Sequence, residues 1–246
     1  MEIHLLFSGP IRPNIDCVKF VVANYKAQLT KYNIVTYLST WNNNIDTYDT
    51  LRKIFDYVVI NEEPTNEYIY KNLTEKTIQQ RQLKYSKTPI DHWTLGIYKQ
   101  FTGIRYLIDY IDNNNLIKQE DIALRIRLDS IIEIDDWNLL LNKIKEDIIN
   151  NNKKYYVNFT KGCGNYSDWF GISSYENIKK IWYYKNIEYF NIVVKHSFNA
   201  EIIVYNMAKS NNIDSINLKN ILSVNPNNYL IRKYIDNNNF KKHYYE

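Results

Sequence analysis

The sequence predicts an α/β protein: one domain built on a mainly parallel sheet with helices on both faces. In the first half of the chain, short apolar runs alternate with amphipathic stretches in the order β-α-β-α-β. The length of 246 residues is enough for one sizeable core, and 45% hydrophobic and 24% charged residues are ordinary globular values. In such a sheet, ligands bind beyond the carboxyl ends of the strands, so polar residues just after strands are candidates for a site.

The first half of the chain contains three predicted strands separated by helices. Each strand is a short run rich in apolar and β-branched residues, whereas each helix carries apolar residues at helical spacing. The turn SGPIRP separates the first strand from the first helix, because glycine and proline interrupt regular structure. The predicted elements are a strand over 3–7, a helix over about 15–31, a strand over 34–41, a helix over 46–55 and a strand over 56–61, followed by the loop EEPTNE.

The second half begins with a long helical region over 75–112, broken near Thr88 and Pro89 because proline removes a helix donor. A strand over 122–128 follows, and then an amphipathic helix capped by Asp135 or Asp136. The remaining predicted elements are a strand over 154–159, the loop TKGCGNYSDWFG, a helix over about 174–184, a helix over about 199–210 and a helical tail within 225–246.

Charge and cysteine content argue against several classes of protein. A net charge of +4, spread along the chain, suits an anionic small molecule such as a nucleotide and falls short of a nucleic-acid-binding footprint. The two cysteines, Cys17 and Cys163, lie in unlike contexts, which predicts neither a disulfide framework nor a zinc site and favours a reducing compartment. No basic leader is seen, and no run reaches the roughly 18–20 apolar residues of a membrane span. We therefore expect a soluble, cytoplasmic protein, and the sequence does not indicate its oligomeric state.

Polar and aromatic residues follow four of the predicted strands and would form a rim at one edge of the sheet. An aromatic ring can stack on a base, while arginine side chains and backbone N–H groups can bind phosphate, so this rim suits a nucleotide. Polar loops are equally normal in any α/β protein, which leaves the role of each single residue open. The rim residues are Ser8, Gly9, Arg12, Ser39, Thr40, Trp41, Asn61, Glu62 and Asp129.

The strand over 122–128 carries the pattern Arg-x-Arg-x-Asp, formed by Arg125, Arg127 and Asp129. Residues two apart point to the same side of a strand, so we expect one core face and one charged face, and the arginines need not lie in the hydrophobic interior. One interpretation of the pattern is an internal salt bridge. The other is that Asp129 coordinates a divalent cation on a diphosphate, while Arg127 orients Asp129 or faces the phosphate.

Six motifs, in order, resemble the WavE-type lipopolysaccharide-synthesis family over residues 3 to about 206: FSGPIR, LSTW, QQRQ, LRIRLDS, SDWFGIS and HSFNAE. That family is predicted to comprise GT-A-type glycosyltransferases. The resemblance implies a GT-A-like (Rossmann-like) fold over 1–246, in which 1–130 binds a nucleotide-sugar donor and 131–224 holds the glycan acceptor. It further implies transfer of the sugar to an acceptor hydroxyl during surface-glycan synthesis.

The resemblance also implies roles for residues that would meet the donor. The tripeptide RLD stands where GT-A enzymes place a DxD motif, so Asp129 would lie near the diphosphate and a divalent cation, Mn²⁺ or Mg²⁺. Arg127 replaces the first acid of that motif, which makes a metal-free site an alternative, because a guanidinium can supply positive charge. Arg81, in QQRQ, resembles the family's arginine and would meet the diphosphate; an exposed helical arginine is the alternative.

Two acids are candidates for a general base. Asp168 is the first, because its loop holds three of the six glycines of the chain, and a carboxylate there can deprotonate an acceptor hydroxyl. A cap of a helix or turn is its alternative role. Glu201 is the second candidate, and His196 would ligate a metal or bind phosphate unless it is structural.

Two rival functions come from other classes of protein. The first is a nucleotide- or RNA-binding module that uses the 23 tyrosines for stacking, although basic residues interleaved with aromatics are not clustered in the sequence. The second is a catalytically inactive, transferase-like subunit, because Arg127 stands in the place of an acid. We expect a nucleotide-sugar donor and a glycan acceptor as partners, and neither nucleic acid nor an integral membrane segment.

Overall fold

The computed structural model describes residues 2–11, 14–42, 47–73, 92–157, 168, 170–186, 189–191, 200–222 and 227–230. Nine strands, seven α-helices and one short 3₁₀ helix (Leu218–Asn220) lie in this part of the chain. The strands are β1 (Glu2–Ser8), β2 (Asn33–Trp41), β3 (Tyr57–Asn61), β4 (Ile122–Arg127), β5 (Ser130–Glu133), β6 (Lys154–Val157), β7 (Phe170–Ser174), β8 (Asp214–Asn217) and β9 (Asn227–Leu230). The helices are α1 (Ile15–Gln28), α2 (Tyr48–Ile54), α3 (Asn66–Asn72), α4 (His92–Asn113), α5 (Trp137–Ile149), α6 (Tyr175–Trp182) and α7 (Ala200–Ser210).

Seven strands form one mixed, mostly parallel sheet in the order β3-β2-β1-β4-β7-β6-β8. Strand β1 pairs in parallel with β2 on one side and with β4 on the other, while β7 runs antiparallel to both of its neighbours. The order 3-2-1-4 is that of a Rossmann-like half, so the predicted fold class, a mainly parallel α/β sheet flanked by helices, is confirmed. The chain order reverses between β1 and β4, which makes the carboxyl ends of these two strands the expected place for a ligand.

Both faces of the sheet are buried, because helices pack on each side. On one face, residues such as Leu5 and Leu124 form a core with α1 and α5. On the other, Leu6 and Ala123 form a second core with α4, α6 and α7. This double coverage explains why the central strands are nearly continuous apolar runs.

The double coverage also corrects one expectation about the charged face of β4. That face was expected to be charged and distinct from the core, yet the side chain of Arg125 is 0% exposed. The reason is that α6 packs directly against β4 on that side, while α4 covers the neighbouring strands β1 and β2. The alternation of the strand was predicted correctly, but its second face is covered as well.

Apart from the predicted C-terminal tail, the predicted helices and strands occur where the structure describes them, with bounds that shift by a few residues. Helix α5 is capped by Asp136, whose side chain accepts from the backbone N–H of Leu139, and Ser174 caps α6. The segment 74–91, with the predicted break near Thr88 and Pro89, lies outside the described residues. Among the described helices, none has the length and apolar character needed to cross a membrane.

Several elements were not predicted. Helix α3 occupies a stretch near the predicted loop EEPTNE, and Thr65 caps it by accepting from the backbone of Tyr68. The short strands β5, β7 and β8 were also missed. The prediction of a helical tail over 225–246 is wrong at 227–230, because this segment is strand β9, which pairs antiparallel with β5 and so satisfies backbone groups that β5 would otherwise expose.

Candidate functional site

The carboxyl ends of the three central strands bring several predicted rim residues together. Ser8, the last residue of β1, lies in register with Ser39 of β2 and with Arg127 of β4. Gly9 follows with a φ of +128°, in a region that favours glycine, and its N–H donates to the carbonyl of Ser39 over 3.1 Å. The first loop is thus anchored to β2 at the same point where β4 ends.

Arg127 links two carboxylates at this edge. Its Nε and Nη2 donate to the two oxygens of Asp129 at 3.0 and 2.9 Å, and Nη1 lies 3.5 Å from Oδ2 of Asp168. Gln100, on α4, holds Asp168 from the other side by donating to its Oδ2 at 3.1 Å and to its carbonyl at 3.2 Å. The internal salt bridge considered for the strand is therefore present, and it includes the predicted base as well.

The electrostatics of this group follow from its burial. Asp129 and Asp168 are only 6% and 5% exposed. Burial by itself would lower the pKa of Arg127, but the charges of Asp129, Asp168 and Glu201 outweigh it and raise that pKa. Arg127 is therefore a permanent cation, and Glu201, in the first turn of α7, lies within reach of its charge. Four predicted site residues from three separate segments thus meet in one electrostatic group, which we call the carboxylate cluster: Arg127, Asp129, Asp168 and Glu201.

Three residues that were predicted to bind the nucleotide-sugar donor carry buried polar atoms that have no hydrogen-bond partner among the described residues. These atoms are Oγ of Ser8, Oγ1 of Thr40 and Nε1 of Trp41. Each such atom costs about 1–3 kcal/mol, and a functional site is one of the standard reasons for its presence. Thr40 alternates with Trp41 along β2 and so points to the opposite face of the sheet. The unsatisfied atoms therefore lie on both sides of the strand ends.

The ring of Trp41 is covered in this conformation. It is 1% exposed, packs edge-on against Tyr106 with ring centroids 6.5 Å apart, and lies 3.6 Å from the position that a Cβ would take at Gly103. A nucleotide base could stack on it only after the neighbouring part of α4 uncovers the ring. The role of Trp41 against a base stays a prediction.

Arg125 is a residue to which the sequence pattern assigned a face but no role. It lies two residues before Arg127 on the same side of β4, and its guanidinium carbon is 4.9 Å from the ring centroid of Trp182. Burial and the neighbouring charge of Arg127 lower its pKa to about 10, so that it is still a cation at neutral pH. The two-residue spacing within Arg-x-Arg-x-Asp was the only sequence signal for its place beside the cluster.

The described side chains do not by themselves fit a divalent cation. Both oxygens of Asp129 accept hydrogen bonds from Arg127. A metal ion bound to Asp129 would therefore lie next to a positively charged guanidinium. Within the described ranges, no group of three or more His, Cys, Asp or Glu side chains could hold a metal. The predicted site residues Arg12, Arg81 and His196 lie outside the described residues.

Cys17 lies close to the cluster without belonging to it. Burial, and then the charge of Asp129, raise the pKa of its thiol to about 12. The side chain therefore stays a neutral thiol and belongs to the core between α1 and the sheet. This agrees with the packing role that its apolar position in the first helix indicates.

Comparisons with known proteins give distant likenesses only. No protein-family model matches the chain, and no curated protein matches it. The structure is similar to that of the galactosyltransferase LgtC in complex with donor and acceptor sugar analogs, with a TM-score of 0.44, 11% identity, and 87% of this chain and 73% of that chain covered. For a putative nucleotide-diphospho-sugar transferase from Desulfovibrio desulfuricans G20, the TM-score is 0.41 at 7% identity, over 88% of this chain and 79% of that one.

A third solved structure is a cytidylyltransferase from Leptospira borgpetersenii serovar Hardjo-bovis (strain JB197). Its TM-score is 0.37 at 11% identity, over 88% of this chain and 76% of that chain. At these values none of the three likenesses assigns a function. The resemblance of the motifs to the WavE-type family therefore stays a hypothesis.

Proposed function

We propose that the chain is a glycosyltransferase of the WavE-like, GT-A-like type, which moves a sugar from a nucleotide-diphosphate sugar to a hydroxyl of a glycan acceptor. The observation that carries this proposal is the carboxylate cluster at the switch point between β1 and β4. Arg127 and Asp129 were singled out from one motif, and Asp168 and Glu201 from two others. In the structure, Arg127 lies in register with Ser8, contacts Asp129 and Asp168, and is within reach of the charge of Glu201. A paired arginine and carboxylates at the place where α/β sheets bind ligands suit transfer of a group away from a diphosphate.

The proposed chemistry uses the cluster in two ways. Asp168, held by Gln100 and Arg127, takes the proton of the acceptor hydroxyl as that oxygen attacks the anomeric carbon of the donor. The bond from that carbon to the diphosphate breaks, and the electron pair leaves with the phosphate oxygen. Arg127, oriented by Asp129, neutralises the charge that develops on this leaving group. Glu201 is the second candidate for the base, and this scheme applies to an inverting enzyme.

The charge of the site sets a further requirement. Counted by formal charge, the two arginines, Arg125 and Arg127, and the three acids of the carboxylate cluster sum to −1. A diphosphate would add to this negative charge, so more positive charge must come from elsewhere to bind it tightly. We propose Arg12, Arg81 and a divalent cation, Mn²⁺ or Mg²⁺, as its sources, with His196 as a ligand of the metal or of the phosphate.

The acceptor and pathway are proposed from the motif resemblance alone. They are a growing surface glycan and lipopolysaccharide synthesis, carried out by a cytoplasmic protein that meets its acceptor at the membrane surface. Ser8, Gly9, Thr40 and Trp41 would line the donor side of the site. The unsatisfied hydroxyl of Ser8 supports a ligand there, and so does the Nε1 of Trp41 once α4 uncovers that ring, because a bound nucleotide could then hydrogen-bond to them.

The test is a thermal-shift screen with UDP-, GDP-, dTDP- and CMP-sugars, with Mn²⁺ or with EDTA, followed by turnover assays with the donors that bind. A bound donor should raise the melting temperature. Asp129→Asn and Asp168→Asn should each lower turnover by about 10²–10³-fold, whereas the control Asp214→Asn, at an exposed site on the edge strand β8, should not.

Three results would count against the proposal. Unchanged turnover in Asp129→Asn would remove its diphosphate role. Binding of a nucleotide-sugar donor without turnover would favour an inactive, transferase-like subunit. Arg127, in the place of the first acid of a DxD motif, is consistent with that alternative. Salt-sensitive RNA binding without nucleotide-sugar binding would favour the RNA-binding alternative.

A further inference from the structure

Arg125 is a fully buried cation with unused hydrogen-bond donors. Its side chain is 0% exposed, and within the described part of the chain none of its three guanidinium nitrogens has a hydrogen-bond partner. A buried charge without partners is among the most costly arrangements in a protein interior. Such an arrangement is typical of a functional site, in which the guanidinium contacts a ligand during the reaction.

Aromatic packing holds the guanidinium in place without using its donors. Its carbon lies 4.9 Å from the ring centroid of Trp182, and Phe101 stacks on Trp182 with centroids 5.1 Å apart and an interplanar angle of 28°. A cation over an aromatic ring is held through the ring face, so its N–H groups remain available to an acceptor. Trp182 itself donates to Tyr155 Oη over 3.2 Å, which fixes the indole.

The strand opposite Arg125 makes room for this arrangement. Gly171 of β7 lies in register with Arg125, and a Cβ there would fall 1.8 Å from Oη of Tyr155. The glycine therefore lets the Tyr155 ring lie across β7, close enough for Tyr155 to influence the pKa of Arg125. Arg125, Trp182 and Tyr155 together form a cationic, aromatic group, and Arg125 lies two residues before Arg127 of the carboxylate cluster on the same side of β4.

The two arginines of β4 differ in how their donors are used. Arg127 donates to Asp129 and contacts Asp168, so its donors are shared with carboxylates. Arg125 lies about 7 Å further back along the strand. It feels the charges of Asp168 and Asp129 but donates a hydrogen bond to neither. Because Arg125 is fully buried, an anion reaches its N–H groups only when the side chains that cover it move aside. It would then find donors that are not already committed to a carboxylate.

We infer that Arg125 binds an anionic group of the substrate, a phosphate or a carboxylate, through the edge of its guanidinium. Planar, two-pronged recognition of such oxyanions is the characteristic use of arginine. The inference rests on the proposed function for the source of the anion. A phosphate would belong to the donor diphosphate, whereas a carboxylate would belong to an acidic sugar on the donor or the acceptor.

The experiment measures binding of inorganic pyrophosphate and of glucuronate to the wild type and to Arg125→Met, Arg125→Lys and Arg105→Met, by calorimetry and thermal shift. Arg105→Met is the matched control, since Arg105 also stacks on aromatic rings, those of Tyr106 and Tyr184, but outside the site. We expect the affinity of the bound anion to fall roughly 10–100-fold in Arg125→Met. It should fall less in Arg125→Lys, which keeps the charge and loses the two-pronged geometry, and stay unchanged in Arg105→Met.

Stability gives a second readout. Replacing an unpartnered buried cation by methionine should leave the melting temperature of the ligand-free protein unchanged or raised, because the cost of burying the charge is removed. A response to pyrophosphate alone points to the donor diphosphate, and a response to glucuronate alone points to an acidic sugar.

The inference is overturned if neither anion stabilises the wild type, or if Arg125→Met binds both as the wild type does. Should Arg125→Met fail to fold, an affinity in Arg125→Lys equal to that of the wild type overturns it equally. Pyrophosphate binding that depends on Arg125, without any sugar transfer, would contradict the proposed function but agree with this inference. Sugar transfer with an unchanged KM in Arg125→Met would agree with the proposed function but contradict this inference.

Discussion

Arg127 holds its two carboxylates with unequal geometry, and this inequality can be measured. Asp129 receives two hydrogen bonds, at 2.9 and 3.0 Å, whereas Asp168 receives one at 3.5 Å. Removing one partner of a buried ion pair leaves a charge without compensation, so Arg127→Met should lower the free energy of unfolding by about 3–5 kcal/mol at pH 7. In double-mutant cycles from urea unfolding, the coupling of Arg127 with Asp129→Asn should exceed its coupling with Asp168→Asn.

The exposed pair of Lys19 and Asp16 is the control for these cycles, and its coupling should be close to zero because solvent screens it. Equal couplings of Arg127 to both acids would mean that Asp168 is held as firmly as Asp129. That result would argue against Asp168 as a group free to receive a proton from a bound hydroxyl. The weaker contact is therefore the one that the proposed chemistry requires.

At the scale of elements, the Tyr155 ring of β6 can lie across β7 only because residue 171 is glycine. A methyl group there would fall 1.8 Å from Oη and 2.0 Å from Cζ of the buried Tyr155 ring, so Gly171→Ala should lower the free energy of unfolding by about 1–3 kcal/mol through overpacking. The matched control is Gly96→Ala on α4, where a Cβ meets nothing within 4 Å, and helix propensity should make it neutral or stabilising by up to about 1 kcal/mol.

Urea unfolding of both glycine variants checks this prediction, and similar small effects at the two positions would contradict it. Combining Gly171→Ala with Tyr155→Ala separates the clash from other causes. The alanine at 171 should cost less in that background than in the wild type, since the ring it meets is gone.

Which elements could be predicted depended on how much of their pattern is local. Strands β1 to β4 are rich in apolar and β-branched residues and were predicted, whereas β7 (FGISS) and β8 (DSIN) are short and more polar, and their pairing with neighbours makes them strands. The same limit applies to the site.

The two-residue spacing of Arg127 and Asp129 predicted that their side chains lie on the same side of the strand. The position of Asp168 next to them depends on β7 lying antiparallel to β4, which no local pattern predicts. The burial of Arg125 depends on α6 covering that face.

At the scale of the whole molecule, the two ends of the sheet carry different titratable groups. The carboxyl end holds the carboxylate cluster, and the amino end buries His4 in β1 at 0% exposure. Its Nδ1 lies 3.2 Å from the hydroxyl of Tyr37, and its Nε2 lies 3.6 Å from both Glu2 and Asp121. Burial lowers the pKa of His4 below 6.5, and the nearby charges of Asp121 and Glu2 oppose this shift without cancelling it.

This arrangement predicts how the stability of the fold depends on pH. Because the folded pKa of His4 lies below the unfolded value of 6.5, the unfolded chain takes up the proton more readily. The contribution of neutral His4 is therefore complete above about pH 6.5 and is lost as the pH falls toward the folded pKa, with a slope of at most about 1.4 kcal/mol per pH unit. Urea unfolding at pH 7.5 and 5.5 should show a smaller acid loss in His4→Gln than in the wild type. Tyr37→Phe keeps the imidazole and should retain that loss, whereas an equal pH dependence in His4→Gln and the wild type would show that acid sensitivity arises elsewhere in the molecule.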